Sequence, residues 1–148
     1  MKYLWTMLCM LAISTSALAD DGMKTVASKH DVATTQTKLE AVLKEKNLTV
    51  FAKIDHTEGA KSVGLSMQPA TVTIFGNPKG GTPFMVASVP SAIDFPLKAL
   101  VWQNAEGKVF VSYNTLAYVV SRHNIKGQDE LAKKLDGLQG AIAKAATE

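Results

Sequence analysis

Four short runs constrain this chain more than anything else in it. "LTVFAKID", "ATVTIF", "LKALVWQ" and "KVFVSYN" are six to eight residues long and rich in β-branched and aromatic residues, the composition of strands on a pleated, half-buried surface. In the first, Leu48, Val50, Ala52 and Ile54 fall on one face at period two. The last two runs are separated only by "NAEG", a hairpin-length turn ending in Gly107. Helical patterns flank the set. "VATTQTKLEAVLKEKNL" has Leu39, Val42, Leu43 and Leu48 at helical spacing, Asp31 as N-cap, Asn47 as a left-handed stop, and Glu40 four residues before Lys44 on the exposed face. "GQDELAKKLDGLQGAIAKAATE" carries the stripe Leu131, Leu135, Leu138 and Ile142. Gly137 and Gly140 weaken that helix by about 1 kcal/mol each, and close packing is the expected reason for them.

Between these lie "GMKTVASKH", a first strand, and "HTEGAKSVGLSMQ", a loop with about one helical turn. "TPFMVASV" is expected as a short helix with Thr82 as N-cap and Pro83 at its first position, and "TLAYVVSRHN" as another, capped by Thr115 or Asn114. The order β-α-β-loop-β-α-β-β-α-α predicts an α+β fold. It is a single compact domain with a mainly antiparallel or mixed sheet of about five strands and helices packed on one face.

The first 19 residues stand apart. Lys2, an apolar run from Tyr3 to about Ile13, and Ala17-Leu18-Ala19 make a secretory signal peptide with cleavage expected after Ala19. The apolar run is too short to span a bilayer comfortably. The reading is an exported protein, periplasmic or secreted, with no membrane attachment once residues 1–19 are gone. Residues 20–148 form the domain. Cys9, the single cysteine, leaves with the leader, so the mature chain has neither a disulfide nor a thiolate for catalysis or zinc. The chain has 16 Lys and Arg against 13 Asp and Glu, a net charge of +3 that falls by one when Lys2 is removed. Arg122 is the only arginine. A nucleic-acid partner, which needs an arginine-bearing basic patch, is not expected.

Few polar residues invite chemistry. "FGNPKGGTPF", Phe75 to Phe84, joins a strand to a helix. Its glycines and helix start suit an anion, with Lys79 adding charge, but the spacing matches neither the P-loop nor the dinucleotide fingerprint. A well-made turn is the competing reading. His56 follows Asp55 at the end of the second run with opposite facing, and is either a base or a capping residue. His30 and His123 sit in polar surroundings and read as surface residues. Three scattered histidines give no zinc signature, and without C-x-x-C-H there is no covalent haem; other cofactors stay open. Lys98 shares a face with Leu100 and Trp102 and is either partly buried with a partner or a guard against aggregation. Tyr113 and Asn114 end the next run, where the hairpin brings them near Lys98. Trp102 and Phe110 read as core.

Four ordered blocks, "LTVFAKIDH", "VTIFGNPKGGTP", "DFPLKALVW" and "GKVFVSYN", resemble the bacterial and archaeal domain-of-unknown-function family 302 from about Thr25 to Asn124. The resemblance implies a compact α+β fold and a homodimer, and it assigns no activity. Its recurrent polar positions match Asp55, His56, Asn77, Pro78, Lys98, Tyr113 and Asn114. The leader departs from the many family members that look cytoplasmic.

Two functional readings follow. One is a dimeric binding module holding a small anion or polar molecule between the Asn77–Thr82 loop, His56, Lys98 and Tyr113. The other is acid–base catalysis with His56 as base and Lys98 or Tyr113 as acid or electrophile. With no nucleophile elbow and no paired-carboxylate spacing, the sequence leans away from an enzyme. A purely structural or interaction domain is the third alternative.

Overall fold

The computed structural model describes residues 22–148. The leader lies outside the described residues. Five strands form one antiparallel sheet: β1 (Met23–Ala27), β2 (Thr49–Asp55), β3 (Ala70–Gly76), β4 (Leu97–Gln103) and β5 (Val109–Asn114), in the order β1-β5-β4-β3-β2. Helices α1 (Val32–Glu45), α2 (His56–Ser62), α3 (Pro78–Ala87), α4 (Leu116–Arg122) and α5 (Asp129–Thr147) join them, with a 3-10 turn at Val89–Asp94. The fold is the α+β single domain expected.

Register decides which side chains meet. Thr73 opposes Ala99, which opposes Tyr113, and Val101 opposes Val111, so these share one face. Helices α1 and α5 pack together over that face. Leu39 and Leu43 from α1 and Ile142, Ala143 and Ala146 from α5 meet Phe75, Ala99, Val101 and Val111 there. Burying one such leucine contributes about 1.5–3 kcal/mol. A second cluster, with Phe84, Leu116, Val119, Ile125 and Ala132, ties α3, α4 and α5 together beside the sheet.

The local signals mostly act as their chemistry dictates. Asp31 Oδ1 accepts the Thr34 N–H at 2.7 Å and starts α1, and Asn47, at φ 55°, lets the chain turn back into β2. Thr115 caps α4 by accepting the Tyr118 N–H at 3.2 Å. The first expectation to change is in β2. The register shifts between Val50 and Ala52, so Val50 opposes Phe75 while Ala52 opposes Ile74. Phe51 is the extra residue of a bulge, and the bulge breaks the period-two face read from the sequence. Helix α3 also starts earlier than expected, at Pro78, which leaves Pro83 inside it. Asn77 is a better cap than Thr82, because its short amide reaches back to the second helical N–H. The "HTEGAKS" segment is a seven-residue helix capped by Asp55. Glu40 reaches Lys53 of β2 at 2.9 Å rather than Lys44.

The other sheet face has a different make-up. Trp102 opposes Phe110 and the rings stack at 4.8 Å. Both are half-buried rather than core. Trp102 Nε1 donates to Ser112 Oγ at 2.9 Å, and Ser112 Oγ meets Thr25 Oγ1 at 2.8 Å. Leu100, Ile74, Val72 and Lys98 complete the centre of this face.

Candidate functional site

The loop between β3 and α3 is the hinge of the site. Gly76 ends the strand opposite Thr49, and Pro78 begins the helix. Asn77 Oδ1 accepts the Lys79 N–H at 2.9 Å. The Asn77 carbonyl accepts the Gly80 N–H at 2.9 Å and the Gly81 N–H at 3.2 Å. Pro78 has no N–H to offer. The first-turn donors that would serve an anion are therefore already used inside the loop.

What the loop does build is a cavity of about 220 Å³. Its walls come from Leu48 and Phe51 on the β2 side, Gly76 to Pro78 and Gly80 to Met85 of the loop and α3, Phe95 and Pro96 before β4, Leu97 at its start, and Leu135 and Leu138 of α5, Pro83 and Phe84 excepted. None of the lining residues is charged. Gly81 lets one wall come close, while Gly76 and Gly80 leave room for a methyl group. A Cβ on Gly81 would sit 3.3 Å from Phe95 Cδ1, one on Gly76 would sit 3.6 Å from Phe51 Cε2, and one on Gly80 would sit 3.7 Å from the Leu135 methyls. Two aromatic rings thus lie on bare backbone. Behind Phe95, the Asp94 carboxylate meets His123 Nε2 at 2.5 Å and Arg122 Nη1 at 3.2 Å, which pins this wall to the end of α4. His123 was expected on the surface; only 10% of its side chain is exposed, because it closes this contact. His30 is likewise half-buried, with its Nε2 inside the protein.

The residues singled out from the sequence divide by place. Asn77 and Pro78 line the cavity. Lys98 opposes Ile74, at the same sheet end, but on the open face. Its Nζ donates to the carbonyls of Pro96 at 3.0 Å and Asp94 at 3.2 Å, so it holds the connector behind the cavity wall. Tyr113 points to the helix layer, beneath Gly140, where a Cβ would meet its hydroxyl at 3.4 Å. Burial, and then the nearby Asp136 carboxylate, push the Tyr113 phenol above its ordinary value. Asn114 is exposed, and its carbonyl accepts Gln139 Nε2 at 3.1 Å. Register puts Asn114, not Tyr113, on the face of Lys98.

Asp55 and His56 are not brought to this place. Asp55 opposes Thr71, at the other end of β3 from Gly76. Its carboxylate accepts the N–H groups of Thr57 at 2.8 Å and Glu58 at 3.1 Å, and the Glu58 N–H above all holds its pKa below the ordinary value. His56 is the exposed first residue of α2. Strand spacing and rise put the Asp55 and Lys98 backbones about 14 Å apart, with side chains on opposite faces. Proton transfer needs hydrogen-bond reach. Among the described residues no group of three or more His, Cys, Asp or Glu could hold a metal ion.

Sequence reasoning missed the apolar lining. Leu48, Leu135 and Leu138 read as members of ordinary apolar stripes, and Phe51, Met85 and Phe95 drew no reading. The sequence carried no signal for it, because Gly80 and Gly81 read as loop residues before a helix at Thr82, whereas α3 begins at Pro78.

The fold and site together define a small α+β domain whose sheet end and helix layer border an uncharged, half-open cavity. The family model described as "Domain of unknown function DUF302" matches residues 24–142, and the chain belongs to that family. A crystal structure of an uncharacterized conserved DUF302 protein from Bacillus stearothermophilus shares the fold. It has a TM-score of 0.78 at 20% identity, covering 85% of this chain and 98% of that one. The chain is also 36% identical over 119 residues to a protein named fluoride-specific ion channel FluC 1 from Brucella suis biovar 1, covering 80% of this chain and 47% of that protein. A FluC 1 protein of Brucella abortus biovar 1 matches at the same identity over 44% of its length. The chain therefore spans about half the length of the curated relatives it matches. Among the described residues no helix is long and apolar enough to cross a membrane.

Proposed function

We propose that this protein is an exported binding module for a small, largely apolar molecule held in the cavity beside Asn77. The supporting observation is the cavity itself: about 220 Å³, with no charged side chain in its lining. A dry cavity of about 150 Å³ holds benzene. By proportion this one takes a molecule of about nine non-hydrogen atoms. Concave, mostly apolar sites with a few polar groups are where proteins hold small ligands. The geometry moves the reading away from a free anion, because the loop's donors are occupied internally. It also leaves the acid–base alternative without a shared site for His56, Lys98 and Tyr113. The test is native mass spectrometry of the protein recovered from the periplasm, with a thermal-shift screen of cumene, acetophenone and benzoate. A carried small molecule, or stabilisation by cumene, supports the reading. An empty protein with an unchanged Tm across the set refutes it. The same spectrum checks export, since cleavage after Ala19 leaves a chain beginning at Asp20.

A homodimer is part of the proposal, supported by the open sheet face. Its polar groups satisfy one another, and its centre is apolar with Lys98 tied to carbonyls. Met23 and Ile54, 47% and 43% exposed, extend it to both edges. A flat, largely apolar sheet is best covered by another at about 10 Å, and a second copy supplies one, with each Lys98 ammonium held by carbonyls of its own chain. Five strands of this length present on the order of 400 Å² of flat face, about half of a standard partner footprint. The expected dimer is therefore weak and concentration-dependent.

A further inference from the structure

Resting on the cavity as the binding site, we infer that its ligand carries an uncharged hydrogen-bond acceptor, a carbonyl or ether-type oxygen, at the Asn77 end of an apolar body. Asn77 and Thr82 are the lining residues with polar side chains. Asn77 cannot offer its oxygen freely, because Oδ1 accepts the Lys79 N–H at 2.9 Å. That bond fixes the amide's orientation and takes one of the two Oδ1 lone pairs, while Nδ2 is wholly unused, a donor with no partner among the described residues. The Thr82 hydroxyl, also without a partner among them, supplies a second donor. A charged head finds no opposite charge in the lining. It also finds no unused N–H at the start of α3, where Lys79, Gly80 and Gly81 are all bonded to Asn77. Donors without cations select a neutral acceptor, because an ion moved to such a site loses hydration that nothing replaces. Asn77 and Thr82 are exposed, at the mouth of the cavity, so a bare hydrocarbon seated there displaces water from these donors and returns no hydrogen bond.

The experiment compares three near-isosteric probes of nine non-hydrogen atoms each: acetophenone, cumene and benzoate. Affinities are measured by calorimetry or NMR titration on the wild type, Asn77→Asp and Thr82→Val. Asn77→Asp keeps a good helix cap while removing the amide donor, so an unchanged far-UV spectrum and a retained Tm are expected. The expected result is that Asn77→Asp weakens acetophenone tenfold or more while cumene stays within about twofold, with benzoate the weakest wild-type ligand. Equal losses for acetophenone and cumene overturn the inference but leave the cavity reading standing. So does benzoate binding more tightly than acetophenone to the wild type. No binding by any probe overturns both. If Asn77→Asp fails to fold, Thr82→Val carries the same comparison, with a threefold or greater selective loss of acetophenone expected and no selectivity refuting.

Discussion

Replacing Gly80 by alanine should make the protein more stable and a poorer binder, and the opposition of the two signs is what makes the experiment informative. Gly80 lies in α3 with an ordinary backbone conformation, so alanine meets no strain. Its new Cβ would lie 3.7 Å from both Leu135 methyls, an ordinary van der Waals contact. The helix then gains about 0.5–1 kcal/mol from restricting the unfolded chain, a rise in Tm of about 2–4 °C for a domain of this size. The same methyl occupies space that belongs to the cavity. A ligand forced to give up one buried methylene loses about 0.8 kcal/mol, about fourfold in Kd. Thermal melts by circular dichroism and titration with cumene measure both quantities on one preparation. If Tm rises and cumene affinity is unchanged, Gly80 does not bound the site. If Tm falls, the space at Leu135 is tighter than the geometry says and the close-approach reasoning fails.

Other expectations follow from the same geometry. Asn77→Ala should lower Tm by removing the α3 cap, a loss of about 1 kcal/mol, while Lys79→Ala, whose ammonium has no bond among the described residues, leaves both Tm and cumene binding unchanged; the reverse result refutes the assigned roles. Glu40 is held below its ordinary 4.5 first by Lys53 and then by Gln36. A lowered folded value stabilises above the unfolded pKa and is lost as pH falls through the folded one, so stability should decline below about pH 4.5 and do so less steeply in Glu40→Gln, as read by urea melts. Tyr113, raised by burial, works in the opposite direction: its contribution is complete below pH 10.0 and lost as pH rises past it. Ultraviolet titration should show one phenol ionising late, and Tyr113→Phe should remove that phase. Leu100→Lys or Ile54→Lys should give a monomer by sedimentation at concentrations where the wild type pairs; a wild type that stays monomeric at high concentration rules out the sheet-face dimer.

The sequence announces its sheet through residues that act locally. β-branched runs, the NAEG turn, Asp31, Asn47 and Thr115 need only their neighbours to do their work, so they could be read directly. Asn77 and Pro78 were legible as a loop for a related reason. The cavity was not, because its identity depends on which apolar side chains fail to fill space. Leu135 and Leu138 follow the same helical stripe whether they meet a partner or a void. The bulge at Phe51 was hidden because alternation in "LTVFAKID" looks unbroken until β3 sets the register. His123 was misplaced because its partner Asp94 lies 29 positions earlier in the chain, and nothing in "SRHN" points to it. Tyr113 and Asn114 both read as neighbours of Lys98 because a hairpin turn does not fix the register, and a single-residue change exchanges the two sides; the register that β4 and β5 adopt puts Asn114 on the side of Lys98.

The two ends of the domain meet. Thr25 pairs with Ser112 across 87 positions, and the Lys29 N–H is accepted by the Thr147 carbonyl at 2.9 Å. Among the described elements β1 comes first in the chain and has β5 as its neighbour, and α5, which covers both, comes after all the others. A growing chain therefore cannot close its core until almost every residue is available, and contacts so distant in sequence form slowly. Such a delay keeps a nascent chain unfolded, which suits threading through a membrane behind the leader proposed for residues 1–19. Slow closure, unhelpful for a protein that must fold beside the ribosome, would be an asset under the export proposed above.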